Sequence, residues 1–384
     1  MFIYIMLISL LCFILVQLLI ELGNVLIISR FPMTINVVDN PLISILVPAR
    51  NEEANIKELM LSLLAQDYPN YEVIVLNDYS EDSTGEILAD LAKNHPKLRV
   101  LSGTPLPIGW YGKHWACHQL AQEAKGAWIL FTDADTVHQP SMLTSTLNLA
   151  HKLDSDLLTA FVQQKMLTFG EKLTVPFPIW SIFTLLPIFI GTIFHLPAFS
   201  AVNGQFMFFK KSSYNQIGGH ESVRNHAADD ISLGRLIIKH KLKLHIHDAT
   251  ALVECRMYHS FKEAYAGFTK NYFAIFNYRI LLSIFVWSWI VFICWFPLII
   301  AVSNIVAPFL TLRWSLICYL IIFLQALLWL IPTIKFKMPP IIIILHPLII
   351  LISSLIGYIS MIKTIFFNTT WKGRNLKPPE IKFF

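Results

Sequence analysis

The hydrophobic and polar positions divide the 384-residue chain into two apolar ends and a mixed middle region. Residues 1–20 carry no charged side chain, and a stretch of this length can cross a bilayer as one helix. A secretory signal is the alternative interpretation, but the basic start and small-residue cleavage site of such signals are missing. We therefore predict an N-terminal transmembrane anchor over residues 1–28.

The C-terminal end contains further apolar stretches. Residues 281–312 are uncharged, which is too long for one straight span and short for two spans with a turn. Residues 314–332 and 341–361 have the length of single spans. We predict transmembrane segments within residues 281–362.

A basic tail over residues 363–384 follows these segments. Lys335 and Lys337 indicate a cytoplasmic loop between the last two spans. Simple alternation would then place the tail outside, against the tendency of positive charge to stay inside. We therefore expect one of the crossings to be re-entrant or paired.

Short apolar runs alternate with segments of helical periodicity in the middle region. Residues 43–47, which are apolar apart from Ser44, and residues 73–76 and 128–131 form apolar runs that are typical of central parallel strands. Helical spacing follows the first run, at Ile56, Leu59, Met60, Leu63 and Leu64. Such a series buries a parallel sheet between helices, so we predict an α/β domain over residues 41–275.

Polar groups follow three of these strands, at residues 50–52, at Asp78 and at residues 133–135. Ligands of such sheets bind beyond the carboxyl ends of the strands. We therefore expect these side chains to converge on one site.

Residues 176–200 are apolar but interrupted by Pro176, Pro178, Pro187 and Pro197. One full crossing here would place the acidic residues before and after it on opposite sides of a membrane. We predict instead a segment that lies in the membrane interface or lines an apolar cleft, which would suit a lipid substrate.

Composition narrows the class of protein. The chain is 55% hydrophobic and only 14% charged, which excludes an ordinary soluble protein. Its net charge of +5 comes partly from the tail and suits an anionic lipid surface. The sequence has no basic stripe with interleaved aromatics, so no nucleic-acid partner is expected. The five cysteines form no C-x-x-C pair, which favours a reducing compartment. With Arg30 after the anchor, we predict a multi-pass cell-membrane protein whose middle domain is cytoplasmic.

Asp133 and Asp135 are the first candidates for chemistry. In extended chain, residues i and i+2 point the same way, so both carboxylates can face one site. Two close carboxylates repel each other, and a divalent cation relieves that repulsion while it binds phosphate oxygens. We predict a metal–diphosphate site, with an acidic helix-capping turn as the alternative. An EF-hand is excluded by Val137 and His138, which stand where an acceptor and a glycine belong.

Motifs alone do not identify the residues that contact the phosphates and the nucleotide, so each candidate has two interpretations. No G-x-G-x-x-G follows the first strand and no G-x-x-x-x-G-K-[ST] occurs, so a dinucleotide cofactor is not expected. Asp78 can accept a hydrogen bond from a base or ribose, or simply start a helix. Arg50 and Asn51 can be ligands or surface turn residues. Lys113 follows two glycines, Gly109 and Gly112, next to the start of a helix, where it suits a phosphate or an aromatic-packed loop.

Two further groups have competing interpretations. His114, Cys117 and His118 share part of a helix face, but a zinc site would lack its fourth ligand, so we predict ordinary packing. Asp229 and Asp230 open a helix, where the helix dipole stabilises them. Alternatively, one of these two carboxylates acts as general base towards a hydroxyl.

Taken in order, the motifs resemble family 2 glycosyltransferases of the GT-A fold, a Rossmann-like α/β fold for nucleotide sugars. The resemblance runs from Ile43 to about Lys270 and includes residues 48–53, 77–82, 133–135 and 229–230. Residues 107–113 and 371–374 resemble the membrane-bound subgroup that acts on lipids. That subgroup includes hopanoid-associated and carotenoid (diaponeurosporenoate) glycosyltransferases.

The resemblance implies inverting transfer of a sugar from a nucleotide sugar, most often a UDP-sugar, with Mg²⁺ or Mn²⁺. The acceptor would be a membrane lipid such as a carotenoid acid or a hopanoid. Asp135 and Asp133 would bind the metal, Asp230 would be the base and Asp229 its neighbour. The residues carried over to the nucleotide sugar are Ala49, Arg50, Asn51, Glu52, Asp78, Lys113, Asp133 and Ala134.

Two positions depart from the family pattern. Tyr79 replaces the glycine usual after the first aspartate, and the Q-x-x-R-W motif of processive synthases is missing. The second departure argues against polymer extrusion. The alternatives are a processive polysaccharide synthase with an export channel, a polyprenyl-phosphate glycosyltransferase and a non-catalytic membrane scaffold.

Overall fold

The computed structural model describes residues 1–32, 40–226, 228–367, 370–371, 374–375 and 380–383. The chain divides into two compact units. We call Ile27–Lys165 with Ile188–Met257 the sheet unit, and Met1–Leu26, Met166–Pro187 and Tyr258–Phe384 together the helical unit. Of the predicted basic tail, residues 368–369, 372–373, 376–379 and 384 lie outside the described residues.

The sheet unit contains ten strands and seven α-helices among the described residues, labelled here in chain order through the whole protein. Its strands are β1 Ile43–Ala49, β2 Tyr71–Asn77, β3 Leu98–Ser102, β4 Trp128–Phe131, β5 Thr136–His138, β6 Leu157–Phe161, β7 Gln163–Gln164, β8 Met207–Lys210, β9 Leu244–Asp248 and β10 Val253–Cys255. Its helices are α2 Ile56–Leu64, α3 Thr84–Asn94, α4 Gly112–Glu123, α5 Met142–Leu153, α8 Ile188–Phe194, α9 Lys211–Gln216 and α10 Asp229–Lys239.

The helical unit contains seven α-helices among the described residues. They are α1 Phe2–Ile27, α6 Phe169–Thr174, α7 Pro176–Leu185, α11 Phe261–Asn271, α12 Ile280–Val306, α13 Leu312–Lys335 and α14 Ile342–Phe366. Of these, α1, α12, α13 and α14 are long. Two short strands follow, β11 Thr370–Trp371 and β12 Arg374–Asn375.

The main sheet has seven strands in the order β3-β2-β1-β4-β8-β6-β9. Strands β3, β2, β1 and β4 are parallel, and β8 is antiparallel to both of its neighbours. The carboxyl ends of β1, β2 and β4 therefore meet at one edge, as predicted for the polar groups that follow them. A second sheet, β5-β10-β7, pairs short strands that the apolar pattern did not reveal.

Both faces of the central strands are buried, which explains why these strands are mostly apolar. Ile45 and Val47 pack into the core on one face, whereas Leu46, between them, packs into the core on the other. Helix α2 contributes Ile56, Leu59, Met60 and Leu63 to the first of these cores. The periodicity of α2 and the run of β1 were therefore both predicted correctly.

Four helices among the described residues are long and apolar enough to cross a membrane: α1, α12, α13 and α14. The count becomes five if the bent segment from α6 to α8 is one span. The uncharged stretch at residues 281–312 is one helix, α12, followed by a break before α13. The predicted interfacial segment breaks between Leu185 and Ile188, so that α7 belongs to the helical unit and α8 to the sheet unit.

Helix α12 runs antiparallel to α13. Gln325 of α13 donates to the Ile293 carbonyl at 2.6 Å, and further along α12 the side chain of Asn304 donates to Ser315 at 3.1 Å. Helix α12 is also antiparallel to α14, because Ser288 hydrogen bonds to Tyr358 while the later Trp295 donates to the carbonyl of the earlier Pro347, at 3.1 Å.

The end of α14 consequently lies beside the start of α12. Ser360 of α14 accepts the N–H of Phe273, seven residues before α12 begins. The described end of the tail is at the same place, since Lys382 donates to the Tyr278 carbonyl and accepts the N–H of Ile280. The end of α14 and the described end of the tail thus both lie beside the start of α12.

Proline interrupts each of α12, α13 and α14, at Pro297, Pro332 and Pro347. A proline has no N–H, so the carbonyl four residues earlier loses its helical partner. In two cases a side chain replaces that partner: Gln325 binds the Ile293 carbonyl, and His346 Nδ1 lies 2.7 Å from the Ile343 carbonyl.

Candidate active site

The turns after β1 and β2 are tied to each other. Arg50 donates from Nη1 to the carbonyl of Asp78 at 2.7 Å and to that of Tyr79 at 3.1 Å. The N–H of Asp78 in turn donates to the Ala49 carbonyl at 2.8 Å. Arg50 therefore cross-links two strand ends, in addition to any contact with a nucleotide. Asp78 is buried at this junction.

Two residues of these turns have left-handed backbone. Asn51 has a φ of 51° and Tyr79 a φ of 54°. Asparagine tolerates this region, but an aromatic side chain is strained in it, whereas glycine adopts it freely. The tyrosine that departs from the family pattern therefore occupies a conformation that favours the glycine it replaces.

Asp133 and Asp135 lie close together, but the extended geometry predicted for them is wrong. Strand β4 ends at Phe131, and Ala134 and Asp135 form a turn before β5 begins at Thr136. Thr136 stabilises the turn by donating from its hydroxyl to the Asp133 carbonyl at 2.8 Å. Ala134, which is part of this turn, is buried.

Lys113, at the first turn of α4, brings the two acidic pairs into one electrostatic system. Its ammonium nitrogen lies 2.6 Å from Asp133 Oδ1. Burial lowers the pKa of Lys113, but the negative charges of Asp133 and Asp229 outweigh burial and hold that pKa well above its usual value. Lys113 is therefore a permanent cation between the two pairs.

Asp135 is poorly compensated. Its Oδ1 is buried and has no hydrogen-bond partner among the described residues. Burial, together with the charges of Asp133 and Glu52, raises the pKa of Asp135 to about 7. The influence of Glu52 also shows that the turn after β1 lies close to the turn after β4.

These carboxylates fit the protein share of a Mg²⁺ or Mn²⁺ site. No three His, Cys, Asp or Glu side chains of the described residues converge on one point, so the chain does not form a closed metal cage there. Magnesium and manganese are commonly held by one or two carboxylates, with phosphate and water as the other ligands. The unpaired oxygen of Asp135 is the structural observation that supports this fit.

Asp229 lies between two histidines, which the sequence interpretation missed. His114 Nε2 is 3.5 Å from Asp229 Oδ1, and His220 Nε2 is 3.4 Å from Asp229 Oδ2. Burial alone would raise the pKa of Asp229, but His114, His220 and Lys113 hold it well below its usual value. The prediction that His114 serves ordinary packing is therefore wrong.

Tyr214 fixes the orientation of His220. The tyrosine hydroxyl accepts the backbone N–H of His220 at 3.0 Å and lies 2.8 Å from His220 Nδ1. The hydroxyl can then donate to Nδ1, which leaves the ring proton of neutral His220 on Nε2, facing Asp229. Burial lowers the pKa of His220, in accord with the neutral form.

The pKa of Asp230 is shifted in the opposite direction from that of its neighbour Asp229. Its carboxylate accepts the N–H groups of Gly204 at 3.0 Å and Ile231 at 2.7 Å. Burial and the negative charge of Asp229 nevertheless raise the pKa of Asp230 to about 6. A methyl group on Gly204 would lie 3.2 Å from Asp230 Oδ2, so glycine permits this close approach.

The sites predicted from separate motifs are thus brought together within the sheet unit. Electrostatic and hydrogen-bond contacts lead from Glu52 to Asp135 and Asp133, then through Lys113 to Asp229 and its neighbour. Ala49, Arg50, Asn51 and Asp78 belong to the adjoining strand-end turns, where Asn51 accepts a hydrogen bond from Glu81. His114 and His220 are additions; Gly218-Gly219-His220 before an acidic pair was the available signal.

Comparison with known proteins shows which family this part of the chain resembles. The sequence profile of Glycosyl transferase family 2 matches residues 44–218. Residues 44–218 are therefore similar to a glycosyl transferase family 2 domain. That domain contains the turns after β1, β2 and β4 and Lys113, while Asp229 and Asp230 follow it.

A curated relative of the family 2 domain is the 4,4'-diaponeurosporenoate glycosyltransferase of Staphylococcus aureus (strain USA300). It is 28% identical over 236 residues, which are 60% of this chain and 60% of the relative. The chain thus matches about three fifths of the length of this relative. The resemblance to carotenoid glycosyltransferases that the motifs indicated is confirmed.

A solved structure with the same fold is the mannosyltransferase PcManGT from Pyrobaculum calidifontis in complex with GDP-Man and Mn²⁺. Its TM-score is 0.55 at 14% identity, and the match covers 94% of this chain and 98% of that chain. The predicted fold class, a GT-A domain accompanied by candidate transmembrane helices, is confirmed.

Proposed function

We propose that this protein is an inverting glycosyltransferase that moves a sugar from a nucleoside diphosphate to a lipid in the membrane. The observation that carries the proposal is the connected set of Asp133, Asp135, Lys113, Asp229 and Asp230 within the family 2 domain and the helix that follows it. It combines two carboxylates for a metal-bound diphosphate with a separate carboxylate of raised pKa.

The donor half would lie at the turns after β1, β2 and β4. Asp78 would hydrogen bond to the base, and residues 49–52 would flank the nucleotide. Asp133 would contact the ribose or sugar as well as the metal. A bound Mg²⁺ or Mn²⁺ would supply positive charge for the departing diphosphate. Lys113, which stays protonated, would add a second cation to the same group.

Asp230 would act on the acceptor. Its pKa of about 6 leaves it ionised at neutral pH and still basic enough to take a proton from a hydroxyl in the transition state. The acceptor oxygen attacks the anomeric carbon, the bond to the diphosphate breaks, and the hydroxyl proton goes to Asp230. A single displacement of this kind inverts the anomeric centre. A carboxylate acceptor would need no base, and Asp230 would then only orient it.

The identity of donor and acceptor follows from the relatives as an expectation. The motifs resemble UDP-sugar enzymes, so we propose a UDP-sugar, with a GDP-sugar as the alternative that the name of the mannosyltransferase structure suggests. The curated relative is named for a carotenoid acid, so we propose a carotenoid acid or another polycyclic or isoprenoid lipid as acceptor.

We propose that the sheet unit faces the cytoplasm, where nucleotide sugars are made. The described end of the basic tail lies beside the start of α12, so tail and α12 start would share that side. This arrangement satisfies the positive-inside tendency that simple alternation of spans violates. Accessibility of single cysteines at Lys382 and Asn304 to an impermeant thiol reagent in intact cells tests it; labelling of Lys382→Cys from outside would contradict it.

The decisive test of the function is transfer itself. Membranes containing the protein are incubated with radiolabelled UDP- and GDP-sugars in Mg²⁺ or Mn²⁺, and the lipids are extracted. We expect one sugar to enter the lipid fraction and EDTA to abolish its transfer. Asp135→Asn should strongly reduce this transfer. Asp154→Asn, at an exposed aspartate paired with Lys243, is its matched control.

Three results would contradict the proposal. Label in a long water-soluble polymer would indicate a processive synthase, and label released by mild acid as a sugar phosphate lipid would indicate a polyprenyl-phosphate transferase. Absence of metal-dependent binding of every nucleotide sugar would indicate a non-catalytic scaffold.

A further inference from the structure

The second sheet places a buried thiol beside Asp135. Cys255 ends the central strand of this sheet, β10, and lies opposite Thr136 of β5 on one side and Gln164 of β7 on the other. The next residue, Arg256, donates its backbone N–H to the carbonyl of Asp135 at 3.1 Å. Cys255, which is only 1% exposed, is therefore held against the turn that carries Asp135.

Gln205 determines how this thiol is oriented. Its Nε2 donates to Cys255 Sγ at 3.0 Å, and its Oε1 accepts from Gln164 Nε2 at 2.7 Å. Both glutamines are buried, so solvent competes little for these hydrogen bonds. Because the sulfur of Cys255 accepts from Gln205, its own proton is directed elsewhere.

The acceptor of that proton is the carboxylate of Asp135, to which the Cys255 thiol is hydrogen bonded. A thiol is protonated at neutral pH, so the thiol donates and the carboxylate accepts. Asp135 Oδ1 has no hydrogen-bond partner among the described residues, so the thiol engages the other oxygen. The carboxylate thus has one oxygen bound by the protein and one left for a cation.

The segment around Gln205 also contacts Asp230. The N–H of Gly204, the residue before Gln205, donates to Asp230 Oδ2 at 3.0 Å. The carbonyl of Gln205 accepts the hydroxyl of Thr132, the residue after β4, at 2.9 Å. Two adjacent residues therefore connect Asp135, through the thiol, with the proposed base.

We propose that Gln205 and Cys255 are positioning residues for the metal site: Gln205 orients the thiol, and the thiol holds one oxygen of Asp135 so that Oδ1 stays available to the cation. No three His, Cys, Asp or Glu side chains in the described part of the chain meet around one point, so the sulfur is a partner of the carboxylate and not a third metal ligand. Partners of this kind fix the orientation of a ligand, and their loss typically weakens metal binding about 10–100-fold. The inference deepens the proposed function, because it rests on Asp135 as a metal ligand.

The first test measures the hydrogen bond itself, without metal or sugar. The S–H stretch of Cys255 is isolated as the infrared difference between the purified full chain in detergent and its Cys255→Ala variant. The same difference is then taken in an Asp135→Asn background. We expect the band to move to higher wavenumber there, because a carboxamide is a weaker acceptor than a carboxylate. An unmoved band would overturn the proposal, whether or not the protein transfers sugar.

The second test measures metal affinity. Mn²⁺ is titrated into the same preparation in the presence of UDP, and free Mn²⁺ is followed by electron paramagnetic resonance. We expect Cys255→Ala to raise the Kd for Mn²⁺ about tenfold or more. Cys255→Ser should stay within about threefold of the unsubstituted protein, because a hydroxyl also donates. Gln205→Leu, which leaves the thiol without its donor, should raise the Kd about threefold to tenfold. Cys294→Ala, at a thiol buried in α12, is the matched control and should leave the Kd unchanged.

Asp135→Ala separates this inference from the proposed function. If Asp135→Ala weakens Mn²⁺ binding and Cys255→Ala does not, the positioning role is overturned while the metal role of Asp135 stands. If neither variant weakens binding, both are overturned. An equal loss in Cys255→Ala and Cys255→Ser would also overturn the proposal, because packing of the sulfur and not donation of a proton would then be what matters. Thermal unfolding in detergent confirms that each variant is folded.

Discussion

Asp133 with Asp135 and Asp229 with Asp230 are two acidic pairs of the same sheet unit, placed in different electrical surroundings. The protein compensates the second pair from within, because His114 and His220 flank Asp229. In the first pair, Lys113 contacts Asp133. One buried carboxylate oxygen of Asp135 and one of Asp229 have no hydrogen-bond partner among the described residues. The surrounding charges differ, because the pKa of Asp229 is held well below its usual value whereas that of Asp135 is raised to about 7. A pair that is balanced internally can hold and move a proton, whereas an unbalanced pair is suited to an external cation.

The largest effect is expected at the internally balanced pair. Asp230→Asn replaces the proposed base by a carboxamide of nearly the same shape that cannot accept the proton. The kcat with a lipid alcohol should therefore fall by about 10² to 10⁴. With a lipid carboxylate as acceptor, the loss should be less than about tenfold. Initial rates with both acceptors measure the difference. Near-normal turnover of the alcohol would remove Asp230 from the mechanism.

The unbalanced pair should show the dependence on metal. Asp135→Ala should reduce transfer about a hundredfold or more, because the diphosphate loses its metal ligand. The effect is measured as rate against Mn²⁺ or Mg²⁺ concentration. Unchanged activity at saturating donor and metal would contradict the assignment, and Asp154→Asn again serves as control.

Lys113 connects the two pairs, and its replacement should have an intermediate effect. Lys113→Met removes a charge-assisted contact of the kind that contributes about 1.5–3 kcal/mol, so kcat/KM should fall about tenfold to a hundredfold. Lys113→Arg should recover part of the loss. An equal loss in both variants would point to a structural role at the start of α4.

The pH profile sharpens the comparison further. Because the pKa of Asp230 is about 6, the active ionised form is lost as pH falls through 6, and kcat/KM should rise with pH to a plateau above about 7. Asp229→Asn removes the like charge that raises this pKa, so the acidic limb should move to lower pH by about one unit. A limb that does not move would show that Asp229 does not control its neighbour.

The smallest expected effect concerns the strained turn after β2. Tyr79→Gly relieves a left-handed tyrosine, worth about 1–3 kcal/mol, but adds flexibility to the unfolded chain, worth about 0.4–1 kcal/mol. The free energy of unfolding should rise by about 1 kcal/mol, measured by denaturation of the protein in detergent. A destabilised variant would show that the ring contributes packing that exceeds the strain.

The sequence predicted those features that depend on local pattern. Helix α2, strand β1 and the start of α10 were recognisable because their burial follows the repeat of one element. The convergence of Asp78 and Asp135 was also predictable, since parallel strands end at one edge.

Features that depend on contacts between distant segments were not predictable. The histidines around Asp229 come from α4 and from a 3-10 turn more than a hundred residues later, and nothing in either segment identifies the partner. The turn at Asp135 also escaped, because alternation along a strand does not show where that strand ends. The short strands β7 and β10 pair through only two residues, too few for a pattern.

The prolines of α12 and α14 restrict how the sequence can change during evolution. Replacing Pro297 by an ordinary residue would restore the N–H that competes with Gln325 for the Ile293 carbonyl, and replacing Gln325 alone would leave that carbonyl exposed to hydrocarbon. Neither change is harmless by itself. In descendants of a common ancestor, we therefore expect the two positions to mutate in concert, as Pro347 and His346 should.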